Sequence, residues 1–402
     1  MMDLDSIARR LSTEIGRRGR VSIRTCRLGC VSYRPGRRLR VVYRVGIDGR
    51  ELHVATSTFR SSSRGERAYR KAMATARNGG SLHPVVFDAE LKTVFWTFPN
   101  DRRIENLSAV AEARDDLRHL VDGTWIRSRL VDYYPEASAV VQCLDESDRT
   151  VAYAKVSAGG EGECTLAVQS ALSRAATGSR VRIARPLAYS KRHRTLLVEP
   201  IAGRPIGSLA GDELAPGLRA YGAGLATLHS LPATDDGPRG RDALGRLQRK
   251  AAGMRIVRPD LDEAIGSLLE ELSERWARAA GDPTPIHGDT NENNAILQGD
   301  RIALIDFDRA SMGAPGSDVG NFLGLQRYLR SIGLISPSSE KARAEAFKRG
   351  YESVRPLPHP EALQVHESAA LAERAFRAVT RLRGSALPRV TALLAEAREM
   401  LG

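Results

Sequence analysis

Residues 285–308 read PIHGDTNENNAILQGDRIALIDFD. Two short apolar runs, at 295–297 and 302–305, flank a Gln-Gly-Asp turn, a pattern that predicts an antiparallel hairpin. Asp289 and Asn294 precede the first run and Asp306 follows the second, so the hairpin brings two carboxylates and an amide close together. Hard divalent cations take oxygen ligands of this kind and often share them with substrate phosphates. The stretch therefore predicts a magnesium site beside a carboxylate that can accept a proton.

This stretch resembles the catalytic and metal-binding segments of the aminoglycoside phosphotransferase and choline kinase branch of the protein-kinase-like fold. The residues that carry the resemblance are, in order, His287-Gly288-Asp289, Asn294, Ile305-Asp306-Phe307-Asp308, Gly313-Ala314-Pro315 and Asp318. The resemblance implies that Asp289 is the general base and that Asn294 and Asp306 hold magnesium. It assigns His287, within the catalytic motif, and Asp318 to the framework of the loop. The alternative is that Asp and Asn stand here only because they suit turns.

The composition is that of a globular protein outside the membrane. The 402 residues are 42% hydrophobic and 27% charged, and no uncharged apolar run reaches the length of about 18 that a membrane span needs. The acidic N-terminus lacks the apolar core of a secretion signal, so we expect a cytoplasmic protein. Of the four cysteines, Cys26, Cys30, Cys143 and Cys164, only the first two lie close together in the sequence. We expect all four to be reduced and structural.

An order of strands, helix and strands occurs twice in the first half of the chain. Strand-like runs at 21–25, 39–45 and 51–57 precede a helical pattern at 65–77 and further strands at 85–87 and 93–98. Segments 31–35 and 131–135 correspond at an offset of 100, and segments 83–95 and 185–197 at an offset of 102. We therefore expect an internal repeat. Chance similarity of short β-rich segments is the alternative.

The expected fold class is α+β, a protein-kinase-like two-lobed fold with a β-rich N-lobe and a mostly helical C-lobe. It divides into a degenerate N-lobe-like repeat at 1–107, an N-lobe with hinge at 108–206 and a helical C-lobe at 207–402. Helical patterns at 218–229, 259–280, 317–332, 338–353, 360–382 and 385–400 support the last part. Within it, His229 is expected to be a satisfied core histidine, and 235–245 a loop.

The second copy carries a lysine where the resembled family binds nucleotide phosphates. Lys155 lies in the β-rich run 150–156, and lysine is rare in this chain, with seven occurrences. The resemblance implies that Lys155 contacts the α and β phosphates and pairs with Glu163, with Glu161 as the close rival. A surface ion pair is the alternative. The first copy places Thr56 at the corresponding position.

The segment 196–206 resembles the hinge between the lobes of the same family. In that family, backbone groups of the hinge bind the adenine edge, which makes Glu199 and Ile201 the candidates here. A buried edge strand with a turn is the alternative. The segment 132–138, where a phosphate-covering loop is expected, contains no glycine. Which backbone amides would cover the phosphates therefore stays open.

These residues predict an O-phosphotransferase that uses Mg²⁺ and ATP, or another NTP, to phosphorylate a hydroxyl of a small polar molecule. Residues 340–402 hold 11 basic and 8 acidic side chains, a balance that disfavours polycationic aminoglycosides as acceptors. Ser or Thr of a ribosomally made peptide is the rival acceptor. A kinase-like scaffold without activity is the alternative from another class, and nucleic-acid binding rests only on the high isoelectric point.

The excess positive charge lies in the first copy. Residues 1–107 hold 22 basic and 10 acidic side chains, whereas the other 295 residues hold 39 and 38. Ten arginines follow one another with no acid between them: Arg17, Arg18, Arg20, Arg24, Arg27, Arg34, Arg37, Arg38, Arg40 and Arg44. Such clustering favours an anionic partner. Solvated strand faces in an Arg-rich protein are the alternative.

Overall fold

A computed structural model describes residues 3–16, 21–77, 82–232 and 242–402. They form two compact units. The first comprises Met1–Gly162, Leu187–Val198 and Thr380–Leu382, and the second comprises Glu163–Pro186, Glu199–Val379 and Arg383–Gly402. The expected boundaries at 107 and 206 remain a prediction.

The first unit contains two five-stranded sheets, which have the same strand order. In chain order its elements are α1 (Leu4–Glu14), β1 (Ile23–Arg34), β2 (Arg38–Ile47), β3 (Arg50–Phe59), α2 (Ser62–Thr75), β4 (Val85–Asp88), β5 (Thr93–Thr97), α3 (Leu107–Ala111), α4 (Asp115–Arg118), β6 (Arg127–Tyr134), β7 (Ser138–Leu144) and β8 (Thr150–Ser157). Helix α5 (Glu161–Ala175) begins in this unit and continues into the second. After β9 (Val181–Ile183) of the second unit, β10 (Pro186–Ser190) and β11 (Thr195–Val198) complete the second sheet. The orders are β1-β2-β3-β5-β4 and β6-β7-β8-β11-β10.

Alternating side chains explain how the first sheet is covered on both faces. In β2, alternate residues from Leu39 to Ile47 point to one face, where they form a core with α1. The other face presents Arg38, Arg40 and Val42. Val42 belongs to a second core that also takes residues from α2, α3 and the second sheet. The two sheets are therefore joined by one shared core.

The second unit is mostly helical, with short strands that carry the polar loop residues. Its remaining elements are β12 (Arg204–Pro205), α6 (Leu214–His229), α7 (Ala243–Val257), α8 (Asp262–Trp276), β13 (Thr284–Ile286), β14 (Ala295–Gln298), β15 (Arg301–Leu304), β16 (Ser311–Gly313), α9 (Pro315–Ser331), α10 (Pro337–Glu352), α11 (Pro360–Thr380) and α12 (Val390–Glu399). Strands β12-β14-β15-β9 form one sheet, and β13 pairs with β16. Helices α6, α9 and α10 pack on this part through one hydrophobic core, and α7, α8, α11 and α12 form another.

The fold confirms the α+β prediction and the hairpin, which is β14 and β15 in antiparallel register from Ala295↔Leu304 to Gln298↔Arg301. Helix α7 was missed, because two glycines interrupt its weak apolar period. Its N-terminus is capped by Asp242, which accepts from the Gly245 amide at 2.7 Å. The predicted loop residues 235–241 and Arg17, Arg18 and Arg20 lie outside the described residues. Within the described ranges, no helix combines the length and the apolar character needed to cross a bilayer.

Candidate active site

The β14–β15 hairpin brings the two predicted metal ligands together. The Ile305 amide donates to the Asn294 carbonyl at 3.0 Å, so Asp306, the next residue, lies beside Asn294. Asp306 adopts a left-handed conformation, with φ of 67°. The backbone at Asp306 thus departs from the extended conformation of β15, which ends at Leu304.

Asp289 lies on a loop whose backbone is held on several sides. The Asn291 and Asn294 side chains both donate to the Asp289 carbonyl at 3.0 Å. Gly288 has φ of +75°, and a Cβ there would lie 2.3 Å from the Arg309 carbonyl oxygen. Only glycine meets both demands, because it tolerates positive φ and carries no side chain. The Asp289 side chain remains 31% exposed, so the carboxylate is accessible while its backbone is fixed.

Asp318, at the start of α9, binds the backbone of this loop and is itself buried in the core. Its carboxylate accepts from the His287 amide at 2.6 Å and from the Gly288 amide at 2.8 Å, and it contacts His229 Nε2 at 3.1 Å. Burial alone would raise the pKa of Asp318, but the hydrogen bond from His229 holds it below the usual value. The carboxylate is therefore ionised and serves as a fixed acceptor for the loop amides.

His229 and His287 are both almost completely buried and fully used in hydrogen bonds. His229 lies between Asp318 and the Tyr351 hydroxyl, which is 2.8 Å from Nδ1. Burial lowers its pKa, so the neutral ring donates from Nε2 to Asp318 and accepts from Tyr351. His287 Nε2 donates to the Ile305 carbonyl at 2.8 Å, leaving Nδ1 to accept from the Asp289 amide at 3.3 Å. His229 is thus the satisfied core histidine that was expected, and it also supports the loop, a role that no local pattern indicated.

The oxygen atoms of Asn294 and Asp306 at the hairpin fit a hard cation that takes its remaining ligands from water or phosphate. Asn294 uses Nδ2 for the Asp289 carbonyl, so Oδ1 is its group for a metal, and its carbonyl accepts from Ile305, the residue before Asp306. Among the described residues no group of three or more His, Cys, Asp or Glu is placed to hold a metal ion. A site of one amide and one carboxylate suits Mg²⁺, which commonly takes its other ligands from water and substrate phosphates.

Lys155 is half-buried on β8 of the second sheet, where it pairs in register with Val140 and Leu196. Helix α5 begins at Glu161, two residues before Glu163, where the sequence predicted the start of the helix. Glu161 and Glu163 therefore both lie in its first turn. The pairing of Lys155 with either glutamate stays a prediction.

In the predicted hinge, one backbone carbonyl and one backbone amide form no hydrogen bond with another described residue. The Glu199 amide donates to the Arg185 carbonyl at 3.0 Å, and its side chain binds the Arg185 amide at 2.9 Å and Arg182 at 3.1 Å. The Glu199 carbonyl and the Ile201 amide are not used in this way. An acceptor and a donor two residues apart are therefore present in this segment, and the binding of a nucleotide base there stays a prediction.

Strand registers correct the residue that corresponds to Lys155 in the first sheet. The pairs are Val140↔Lys155 and Lys155↔Leu196 in the second sheet, and Arg40↔Ser57 and Ser57↔Val94 in the first. The offset of 100 relates Val140 to Arg40, and the offset of 102 relates Leu196 to Val94. Both Arg40 and Val94 pair with Ser57, which therefore corresponds to Lys155. Thr56 was therefore the wrong choice, by one residue and hence by one face of the sheet.

The face of the first sheet that corresponds to the Lys155 face is covered by protein. Ser57 is completely buried, on the same face as Ala55, which belongs to the core shared by the two sheets. In the second sheet, Ala154 and Val156 face that core, and Lys155 lies on the opposite face. This arrangement gives a physical reason for expecting no nucleotide on the first copy.

Two arginines of the predicted basic docking stretch are structural. Arg38 and Arg102 bind the Glu136 carboxylate at 2.7 and 2.6 Å, and Arg40 also contacts it. The Glu136 side chain is 0% exposed. Burial would raise its pKa, but the three guanidinium groups hold it below the usual value. The prediction that the whole stretch faces a partner is wrong at Arg38 and Arg40, whereas Arg24, Arg27, Arg34, Arg37 and Arg44 are exposed.

Residues 161–357 match the family model described as the phosphotransferase enzyme family, APH. This part of the chain, a little under half of its length, is similar to that family. The match contains the Asp289 loop, the hairpin and Asp318, and it begins after the strand that carries Lys155. A comparison with the sequences of curated proteins gave no match.

Two solved structures show that the fold is protein-kinase-like, of the aminoglycoside phosphotransferase type. A Ralstonia eutropha protein assigned as an aminoglycoside phosphotransferase is 15% identical, with a TM-score of 0.52 over 73% of this chain and 98% of its own. A thermostable mutant of aminoglycoside phosphotransferase APH(4)-Ia, in its apo form, is also 15% identical, with a TM-score of 0.52 over 70% of this chain and 95% of its own. The expected fold is therefore confirmed.

Proposed function

We propose that the protein is a Mg²⁺- and ATP-dependent O-phosphotransferase that acts on a hydroxyl group of a small polar molecule. The observation that carries this proposal is the Asp289 loop, in which an accessible carboxylate stands on a backbone fastened by buried Asp318. Beside it, Asn294 and Asp306 supply the oxygen ligands of a hard cation. The match of residues 161–357 to the phosphotransferase family model supports the same chemistry.

In this mechanism Asp289 orients the acceptor hydroxyl and receives its proton. The hydroxyl oxygen forms a bond to the γ-phosphorus of ATP while the bond to the bridging oxygen of the departing ADP breaks. Asn294 and Asp306 would hold Mg²⁺, which would neutralise the developing charge on the phosphates when bound. Lys155 would contact the α and β phosphates, and the Glu199 carbonyl and the Ile201 amide would bind the base. The buried network of Asp318, His229 and His287 keeps the loop in place during transfer.

The test is the variant Asp289→Asn, assayed with labelled ATP, Mg²⁺ and a panel of sugars, amino alcohols, hydroxy acids, aminoglycosides and Ser-containing peptides. Transfer is expected to fall by about 10²-fold or more, because proton acceptance is lost while the loop is unchanged. Binding of Mg-ATP is expected to stay near the wild-type value. Asp300→Asn, an exposed acid in the hairpin turn, is the matched control. Wild-type transfer rates in Asp289→Asn would refute the assignment of the base.

A further inference from the structure

Cationic side chains from three separate segments converge near Asp289 within the second unit. Arg309 Nη1 lies 3.6 Å from Asp289 Oδ1, and the Arg309 backbone packs against Gly288. Helix α7 contributes Lys250, and α11 contributes Glu373, Arg374 and Arg377. We call Lys250, Arg309, Glu373, Arg374 and Arg377 the Arg309 cluster.

Arg374 connects α11 to the loop that carries Asp289. Its guanidinium is half-buried and donates to the Asn321 side-chain oxygen at 2.9 Å and to the Asn321 carbonyl at 3.0 Å. The Asn321 side chain in turn donates to the Thr290 carbonyl at 2.8 Å. Thr290 follows Asp289 directly, so this chain of hydrogen bonds places α11 beside the loop. Burial is the main reason why the pKa of Arg374 falls to about 10, and at neutral pH the group remains charged.

The single carboxylate of the Arg309 cluster is already shared by two cations. Arg377 binds Glu373 at 2.8 Å, and Lys250 also contacts it. Burial would raise the pKa of Glu373, but Arg377, Lys250 and Arg309 bring it to about 2, so the group is ionised. The cluster therefore contains four cationic side chains and one carboxylate. Even with Asp289 counted, the cluster carries a charge of +2.

Three of the four cations of this cluster are accessible to a ligand. The side chains of Lys250, Arg309 and Arg377 are 31%, 37% and 42% exposed. A concave or partly buried surface with one sign of charge attracts ligands of the opposite sign and repels those of the same sign. Guanidinium groups also bind carboxylate and phosphate groups through paired hydrogen bonds. A polycation would meet four like charges here.

We propose that the acceptor carries a carboxylate or phosphate group in addition to its hydroxyl, and that Arg309 of the Arg309 cluster binds this anionic group. The proposal rests on the proposed function, because it takes Asp289 as the place where the hydroxyl reacts. Arg309 then acts as a specificity-determining residue: it holds the anion within reach of the Asp289 loop, while Arg374 positions α11. Polycationic aminoglycosides are excluded as the preferred acceptors.

The first experiment compares transfer from labelled ATP to matched hydroxyl compounds. The panel contains hydroxy acids, phosphorylated alcohols and sugars, their uncharged amides or parent alcohols, and aminoglycosides. The anionic members are expected to be phosphorylated with kcat/KM about tenfold or more above their uncharged counterparts. The hydroxy acids and the phosphorylated compounds, compared with each other, identify which anion the site prefers.

The second experiment uses the full-length variants Arg309→Gln and Arg377→Gln. Arg309→Gln is expected to raise KM for the anionic acceptor by about tenfold or more and to make KM less sensitive to salt, with KM for ATP unchanged. Arg377→Gln is expected to act in the same direction but less strongly, because it is engaged with Glu373. Arg301→Gln, an exposed arginine on the same hairpin, is the matched control.

Preferred transfer to uncharged or cationic members of the panel, or an unchanged KM in Arg309→Gln, would overturn the anionic acceptor. Transfer to no anionic member would overturn it as well. These results are separate from the proposed function: Asp289-dependent hydrolysis of ATP, or Asp289-dependent transfer to an uncharged alcohol, would keep the phosphotransferase and discard only the anionic group.

Discussion

At the scale of single residues, the proposed chemistry depends on the conformations of Asp289, Asn294 and Asp306. The Asp289 carboxylate is accessible, and hydrogen bonds hold the backbone around it. Two asparagine side chains donate to the Asp289 carbonyl, and the His287 amide donates to Asp318. Asn294 is oriented by the same contacts, since Nδ2 is used and Oδ1 is the group that can meet a metal. The three positions can therefore be tested separately.

Asp306→Asn is expected to raise the Mg²⁺ concentration needed for nucleotide binding by about tenfold or more, because a carboxylate ligand becomes a neutral amide. Calorimetric titration of ATP at several Mg²⁺ concentrations measures this. Asp300→Asn serves as control here too. An unchanged Mg²⁺ requirement in Asp306→Asn would mean that another residue holds the cation.

Stability is expected to depend on pH through the buried pair of His229 and Asp318. The pKa of His229 is lowered in the folded protein from 6.5, mainly by burial, so the unfolded chain takes up a proton first as pH falls. Its contribution is complete above about pH 6.5 and is lost as pH falls through the folded pKa. The pKa of Asp318 is also lowered, so its contribution is lost only at still lower pH. The melting temperature should therefore decrease from pH 7 to 5.

His229→Gln checks the source of this decrease. Glutamine can still donate to Asp318 but takes up no proton, so the variant should lose less stability than the wild type over the same interval. His366 and His53 also have pKa values lowered by burial and retain part of the effect. Equal pH dependence in the two proteins would show that His229 does not titrate in this range.

At the scale of elements, the turn between β6 and β7 is held by the first sheet. The Glu136 carboxylate at this turn binds three arginines, two of them from β2, and the Glu136 amide donates to Asp101 at 2.7 Å. The Tyr133 hydroxyl also donates to Asp101, at 2.8 Å, and accepts from Trp96 at 2.7 Å. The first sheet thus determines the conformation of a turn in the second.

Glu136→Gln is expected to destabilise the first unit by about 3 kcal/mol or more, since three buried or half-buried guanidinium groups lose their counter-charge. Glu90→Gln is the matched control. Glu90 pairs with Arg10 at 2.7 Å but is 77% exposed, so its loss should cost less than about 1 kcal/mol. Urea unfolding monitored by tryptophan fluorescence compares the two. Equal midpoints would show that the buried cluster contributes little.

At the scale of the whole molecule, the first sheet and the second share one hydrophobic core and are not separable modules. Trp96 of β5 and Trp125 before β6 are both almost completely buried in it, together with residues of α2 and α3. Removing the first sheet would expose this core to water. A large exposed apolar surface favours aggregation.

Deletion of residues 1–99 is therefore expected to give an insoluble or aggregated fragment, measured by soluble yield and size-exclusion chromatography. The full-length double variant Arg24→Ser, Arg27→Ser is the control, because both arginines are exposed and should be dispensable for folding. A soluble, monodisperse fragment that retains phosphotransfer would contradict the shared core as the reason for keeping the first sheet.

The amino-acid sequence by itself determined the α+β class and the β14–β15 hairpin, because these depend on periodicity and turn residues within about twenty positions. It also predicted Asp289, Asn294 and Asp306 as the site, which stays a prediction. Only the tertiary structure decided the rest. It corrected Thr56 to Ser57, since a shift of one residue reverses the face of a strand. It also placed Arg38 and Arg40 against Glu136, almost a hundred residues away in the chain, and brought together the Arg309 cluster from three segments. Contacts over such separations arise from packing, and no local pattern of residues encodes them.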